Sequence, residues 1–259
     1  MSIEPSELTQ IEMAAGILML YKTLKKTLAK IRSTPFHPQW FVYRNEHWHH
    51  SQIGKQVAGT VLDIGCADQY IKTYIQANHN YIGLDYYQTA VHWYATQPHV
   101  YGDAQALPFA DNSMDAVLLL DVLEHLPRPE DCIGEIARVL KPSGTFVLQV
   151  PFIYPLHDAP LDFHRWTQHG LQKIVQKYGF IIRQQIQIGK PLETAGLLLN
   201  IAISKTILNW LQQKNPALIL GILAPVVVLS VNLLCWLFSL ISPMDDIMPY
   251  SYRLVLEKQ

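Results

Sequence analysis

The sequence predicts an α/β protein: a doubly wound, mainly parallel sheet of seven strands, with an N-terminal helical segment and a hydrophobic helical insertion before the last strand. Three observations lead there. From Thr60 to Ile188 short β-rich runs alternate with helix-like ones, the pattern of strands joined by helical crossovers. The first β-rich run ends in a glycine turn, VLDIGCADQY (Val61 to Tyr70), as at the ligand-binding carboxyl edge of a parallel sheet. The last segment, YSYRLVLEK (250–258), alternates Tyr250, Tyr252, Leu254 and Leu256 against Ser251, Arg253, Val255 and Glu257, the period of a strand with one covered face.

Taken in order, residues 7–32 read as a helix with a mixed stripe including Leu8, Ile11, Ala15, Leu18 and Leu28 and a basic end. It suits either a membrane interface or packing on the domain behind it. The stretch FHPQWFVYRNEHWHH (36–50) follows, and its His47, His49 and His50 are assigned no chemistry. Strand candidates are TVLDI (60–64), YIGLD (81–85), HVYGD (99–103), MDAVLLLD (114–121), GTFVLQVP (144–151), FIIRQQIQI (180–188) and the final 250–258. Helix-like runs lie near 68–78, 87–96, 129–140 and 166–178. The expected division is 1–58, a helical segment; 59–188, the core; 189–249, the insertion; and 250–259, the last strand of the core.

The insertion holds the apolar excess. From Ala217 to Ser242 it reads ALILGILAPVVVLSVNLLCWLFSLIS, with no charge between Lys214 and Asp245, more than the ~20 residues a helix needs to cross a bilayer. Because a strand of the same sheet follows, both ends of the insertion must lie on one side of any membrane. A single crossing is excluded, which leaves a hairpin that enters and returns, an interfacial helix, or a cap on the protein itself. The hairpin is favoured: Pro225 permits a bend, and Gln212 to Pro216 separates the apolar run from an earlier amphipathic stretch with Leu197, Ile201, Leu208 and Leu211.

Composition narrows the function. Charged residues are 16% and hydrophobic ones 49% of 259 residues, a balance that builds a core and excludes disorder. A net charge of −1 offers no field for a nucleic-acid backbone, so no nucleic-acid partner is expected. Cys66, Cys132 and Cys235 lie far apart without a CxxC, giving neither a disulfide framework nor a zinc signature, and a reducing compartment is the simple inference. The apolar stretch Met13 to Tyr21 is followed, not preceded, by basic residues, unlike a secretory signal. A cytoplasmic protein at the inner face of the cell membrane is expected.

The chemistry concentrates at the predicted strand ends. Gly65 and Ala67 let a ligand approach the backbone of the first turn, but Tyr70 stands where a dinucleotide fingerprint needs its third glycine. Twenty positions beyond Gly65, Asp85 ends the second strand, where a carboxylate can accept both ribose hydroxyls. GDAQALPF (102–109) and DNSMDAVLLLDVLEHL (111–126) follow, then RVLKPSGTFVLQVP (138–151). In this order the motifs resemble class I S-adenosylmethionine-dependent methyltransferases of the type 11 family, over about Gly59 to Phe180. The resemblance implies a Rossmann-like methyltransferase fold and S-adenosyl-L-methionine as cofactor. It places Asp63, Gly65, Cys66 and Ala67 against the amino-acid part of the cofactor, Asp85 with Tyr86 at the ribose, and Asp103 with the Ala104 amide at the adenine edge. Asp121, Val122 and His125 would line the methionine side. Ala67 followed by Asp68 departs from the GxG of many members.

For the acceptor, the polar loop PFIYPLHDAPLDFHRWT (151–167) follows the fifth strand. His157 or His164 can act as base, with Asp158 or Asp162 fixing the tautomer and Arg165 holding a polar group, His125 joining the catalytic set. The other reading is a lid held by an internal Asp and Arg pair. The histidine spacing matches no known metal-ligand motif, and no metal is expected. The YPxHxxPxDxxR pattern with a late apolar insertion resembles a bacterial subgroup associated with polysaccharide or cell-surface glycan synthesis. That resemblance implies O-methylation of a membrane-presented acceptor such as a lipid-linked sugar, with a lipid or quinone ring as the rival. A non-catalytic nucleoside-binding or membrane scaffold module is the alternative from another class.

Overall fold

The computed structural model describes residues 29–243 and 245–259. Most of the predicted helix at 7–32, with its interfacial reading, lies outside the described residues. The described residues divide into two compact units, one formed by 46–189 with 246–259 and the other by 29–45 with 190–243 and Asp245.

The first unit is a seven-stranded sheet in the order β3-β2-β1-β4-β5-β7-β6. Its strands are β1 (Thr60–Ile64), β2 (Asn80–Asp85), β3 (Val100–Tyr101), β4 (Met114–Leu120), β5 (Leu140–Pro151), β6 (Phe180–Ile188) and β7 (Ser251–Lys258). All neighbours from β3 to β5 are parallel, and β7 runs antiparallel between β5 and β6. The central β1 and β4 are nearly continuous apolar runs because both faces are covered. One face packs on α3 (Pro129–Val139) through Cys132, Ile133 and Ile136 and on α4 (Gln168–Lys177) through Leu171 and Val175. The other packs on α2 (Glu46–Gln56) through Ile53 and on Ile71 and Ile75. Pro129 with Glu130 and Asp131 opens α3, and the Thr167 hydroxyl caps α4 by accepting from Gly170 N at 3.2 Å.

Several expectations change. The helix expected at 68–78 is a single 3-10 turn, Tyr70–Tyr74, because Ala67 (φ +43°) and Gln69 (φ +58°) hold the preceding loop in left-handed conformations. The run at 87–96 is a π-helical turn, Thr89–Tyr94. β7 was expected to show one face to solvent, yet Ser251 to Leu256 are all buried, since it lies inside the sheet. Arg253 is therefore internal. Its guanidinium donates to Gln149 Oε1 from Nε at 3.0 Å and from Nη2 at 2.6 Å, and burial lowers its pKa to about 10. The chain leaves the sheet at Ile188 and re-enters at Ser251, which are register partners, so the intervening segment returns to its starting edge.

The second unit contains α1 (Trp40–Tyr43), α5 (Pro191–Gln212), a 3-10 segment Pro216–Leu223 and α6 (Ala224–Ile241). Glu193 meets Ser239, Gly196 faces Cys235 and Asn200 bonds Asn232, which makes α5 and α6 an antiparallel pair. A Cβ at Gly196 would stand 2.8 Å from Cys235 Sγ, so the close approach requires glycine. The seam is polar: Asn200 Nδ2 donates to Asn232 Oδ1 at 2.9 Å, and Asn232 Nδ2 donates to the carbonyls of Pro35 and His37. The outer face is apolar, with Val226, Leu234, Leu237, Phe238, Leu240 and Ile241 exposed. Among the described residues two helical stretches, Pro191–Gln212 and Pro216–Ile241, are long and apolar enough to cross a membrane, with mean hydropathies of 1.2 and 2.6.

Candidate active site

The carboxyl ends of β1, β2 and β4 open onto a cavity of about 600 Å³, the edge at which parallel sheets bind ligands. Ile64, Gly65 and Ala67 form one wall, Leu84, Asp85, Tyr86 and Thr89 the next, and Gly102, Asp103 and Ala104 a third. Leu120, Asp121, Val122 and His125 continue it, and His157, Asp158 and Leu161 reach it from the loop after β5.

Gly65 sits at φ +73°, and a Cβ there would lie 2.3 Å from Val122 Cγ2. Any side chain would push the β1 turn into the β4 loop. Asp85 ends β2 with its carboxylate drawn inward: Oδ2 accepts from Ala67 N at 2.9 Å, and Oδ1 from Tyr86 N at 2.7 Å and Thr89 Oγ1 at 2.9 Å. A carboxylate has roughly four acceptor sites, so capacity remains toward the cavity. Asp103 Oδ1 accepts from Gln105 N at 2.8 Å and Gln105 Nε2 at 3.2 Å, which shapes the turn after β3.

The far end is polar. Asp121, at φ +55°, accepts from Gln149 Nε2 at 2.7 Å; the residue is exposed on the cavity wall, but the protein packed around it and the nearby Glu124 charge raise its carboxyl above the usual range. His125 and His157 pack edge to face, with ring centroids 4.9 Å apart. Each presents Nε2 at 3.7 Å from Glu124 Oε1. Glu124 raises the His157 pKa, burial opposes it, and Asp162 adds to the rise. Asp158, at φ +49°, draws the hydroxyl of Tyr94, which burial and this carboxylate keep protonated.

Eleven of the expected site residues line the cavity: Gly65, Ala67, Asp85, Tyr86, Asp103, Ala104, Asp121, Val122, His125, His157 and Asp158. The others stand behind it. Asp63 is buried and accepts from Tyr81 Oη at 2.6 Å, its carboxyl pushed up to about 7 by burial, and the Cys66 side chain is buried against Gly83. Both shape the turn from within the core. Arg165 was expected to hold an acceptor group; instead it engages Asp162, Nη1 to Oδ1 at 2.5 Å and Nη2 to Oδ2 at 2.6 Å, the internal pair of the alternative lid reading, while Asp162 Oδ2 also lies 3.2 Å from His157 Nδ1, as an orienter of that ring would. Burial alone would raise the Asp162 carboxyl, yet Arg165 and the His157 amide hold it at about 2. Arg165 also donates to the carbonyls of Tyr154, Pro155 and His164, so the pair is the brace of the loop. His164 packs on Trp166, outside the cavity lining. Sequence reasoning passed over Thr89, Tyr94 and Glu124. For Glu124 a signal existed, a charge beside His125 in an otherwise apolar segment; for Thr89, its place four residues after Asp85.

Comparison with known proteins agrees with this geometry. Residues 62–148 match the family described as a methyltransferase domain. A sterol 24-C-methyltransferase of Neurospora crassa is 36% identical over 40% of this chain and 31% of its own. A protein of Mycolicibacterium smegmatis described as a probable S-adenosylmethionine-dependent methyltransferase is 30% identical over 58% of this chain and 62% of its own. The chain thus spans less than two thirds of either relative's length. Among solved structures, the [4+2]-cyclase SpnF shares the fold at a TM-score of 0.51 and 17% identity, over 81% of this chain and 80% of that one. By its matched residues, its strand order and its relatives, the chain carries a class I S-adenosylmethionine-dependent methyltransferase domain.

Proposed function

We propose that the protein transfers a methyl group from S-adenosyl-L-methionine to an acceptor held at a membrane. The observation that carries the reading is the single cavity wall joining two kinds of chemistry: Asp85 and Asp103 at one end, His125, His157 and Asp158 at the other. Bound S-adenosyl-L-methionine would supply an electrophilic methyl on a sulfonium whose sulfur keeps the bonding pair on transfer. The chain's own residues fit it. Asp85 has about one acceptor site left for a ribose hydroxyl, Gly65 lets the ligand approach the β1 turn, and Asp103 with Ala104 faces the third side. His125, His157 and Asp158 receive the acceptor group and provide for loss of its proton, and the Asp162–Arg165 brace positions His157.

The membrane part of the proposal rests on the pattern of α5 and α6, which bury polar side chains such as Asn200 and Asn232 beside Leu197 and Val228 and expose the apolar face of α6. A helix pair in lipid needs that distribution. The hairpin would enter the bilayer and return, holding the protein at the inner face of the cell membrane beside a lipid-linked sugar or similar glycan precursor. A second reading, methylation of a lipid or ring itself, draws support from the sterol 24-C-methyltransferases among the relatives.

One experiment tests both. Purified protein is incubated with membrane extract and S-adenosylmethionine labelled in the methyl group, and the product is extracted into organic solvent and treated with mild acid. Label released into water as a sugar supports the first reading, and label retained in the lipid supports the second. No transfer, by folded protein that also fails to bind the cofactor in calorimetry, overturns the proposal. Within the site, Asp85→Ala is expected to weaken cofactor binding by ~1.5–3 kcal/mol, the range for hydrogen bonds to a charged group. Unchanged affinity removes Asp85 from the ribose role.

A further inference from the structure

Methyl transfer alone leaves the surroundings of Glu124 unexplained. Its side chain is fully buried, and neither carboxylate oxygen has a hydrogen-bond partner. An ionised carboxylate is not stable in that state without a compensating positive charge. What faces it is a pair of imidazoles, with His125 Nε2 and His157 Nε2 each 3.7 Å from Glu124 Oε1.

The far nitrogens are held as well. His125 Nδ1 lies 2.9 Å from the Leu161 carbonyl, which only accepts, so Nδ1 donates and the Nε2 lone pair turns toward the carboxylate. His157 Nδ1 lies 3.2 Å from Asp162 Oδ2 and 3.4 Å from Arg165 Nη2, so this ring can meet Glu124 through a proton or through a lone pair on Nε2. A proton on His157 answers one contact only, whereas a cation between the three groups gives His125 Nε2 and the carboxylate a partner together. Metal-ligating histidines are oriented in the same way, by an acceptor on the far nitrogen.

We propose that Glu124, His125 and His157 bind one divalent transition-metal cation of the zinc type in the wall of the cavity. The three ligand atoms lie within 4.8 Å of one another. Ligands ~2.1 Å from a tetrahedral ion stand about 3.4 Å apart, so shifts of a few tenths of an ångström at the two 3.7 Å contacts, and of no more than about 1.4 Å between the imidazole nitrogens, would seat it. Two imidazoles and one carboxylate are a donor set for such an ion, and three protein ligands leave a position open. His125 and His157 line the cavity, so that position faces the acceptor. The sequence hides the site because two ligands are adjacent and the third comes from a different loop.

The role of the ion, unlike its binding, rests on the methyl-transfer reading. An acceptor hydroxyl on the open position loses its proton more readily, the proton passes to the Asp158 carboxylate, and the oxygen is left as nucleophile.

The test uses the full chain in detergent micelles, stripped with a chelator and titrated with zinc against a chromogenic competitor. Calorimetry with S-adenosylmethionine runs on the same samples. One equivalent of zinc is expected, with affinity falling at least tenfold in Glu124→Gln and His157→Ala while cofactor affinity is unchanged. If Glu124→Gln does not fold, His157→Ala, in the partly exposed loop, carries the comparison. Protein that binds the cofactor but no stoichiometric zinc overturns the metal site, as do variants that hold zinc as tightly as the native chain. Protein that binds zinc but no cofactor supports the site and sinks the methyl-transfer reading instead.

Discussion

The sheet unit and the helical pair solve the same problem with opposite distributions of side chains. In the sheet unit the interior is Val, Ile, Leu and Phe, and the buried polar groups are few: Asp63 pairs with Tyr81 and Arg253 with Gln149, while Glu124 is the exception. In the pair of α5 and α6 the interior mixes Glu193, Thr194, Asn200, Asn232 and Ser239 with Gly196, Leu197 and Val228, and most of the large apolar groups of α6 face outward. Water drives the first arrangement, since apolar area leaves it. In the second, hydrogen bonds and close backbone approach join the helices and the apolar exterior of α6 gains nothing from leaving water, the distribution that the proposed lipid setting calls for. On the membrane reading proposed above, one chain carries the packing rules of two solvents.

The largest effects should separate the two rules. Ile136→Ala, in the fully buried face of α3, is expected to cost about 2–5 kcal/mol in denaturant unfolding, through lost transfer energy and a cavity. Leu237→Ala, on the outer face of α6, should change stability in detergent by no more than about 0.5 kcal/mol. If Leu237→Ala costs as much as Ile136→Ala, α6 is packed on protein and the contrast fails. A smaller effect is expected inside the helical pair. Asn232→Leu leaves Asn200 and the carbonyls of Pro35 and His37 without their partner, at a cost of roughly 1–3 kcal/mol. A gain in stability from this apolar substitution would show that the seam obeys the core's rule after all. The same contrast predicts that Leu234→Glu with Leu237→Glu reduces sedimentation with vesicles while cofactor binding persists.

These two rules also explain how far the sequence could be read. The strands β1 and β4 were legible because parallel strands covered on both faces are short apolar runs bounded by turns, and TVLDI and MDAVLLL are little else. β7 was found by its alternation, but its inner position was not, because the period of two in Ser251, Arg253 and Val255 looks like a solvent face until Gln149 is seen to pair with Arg253. The turns at 70–74 and 89–94 were overread as helices, since left-handed Ala67 and Gln69 leave no mark in composition. At the site, residues carried by short-range motifs, such as Gly65, Asp85 and Asp103, reach the cavity. Long-range partnerships were invisible: Asp63 with Tyr81, and Glu124 with His157, join residues that only the fold brings together.

The smallest effect per step concerns the core's own exception. Burial pushes the Asp63 carboxyl up to about 7, opposed by the Tyr81 hydrogen bond and reinforced by Asp85 and Asp68. In the unfolded chain this carboxyl titrates near 3.9. Between about pH 4 and pH 7 the folded state therefore holds a proton that the unfolded state has released, and stability falls as the pH rises. The slope is at most ~1.4 kcal/mol per pH unit for one proton. The contribution is intact below about pH 4 and fully lost above about pH 7. Asp63→Asn keeps an acceptor for Tyr81 and removes the titration, so its stability should be flatter across that window than the native chain's, with the gap in its favour widening toward neutral pH. Urea midpoints at pH 5, 6 and 7 measure this directly. Parallel profiles for the two proteins would mean that Asp63 stays ionised in the folded state, and that the sheet unit tolerates a buried charge.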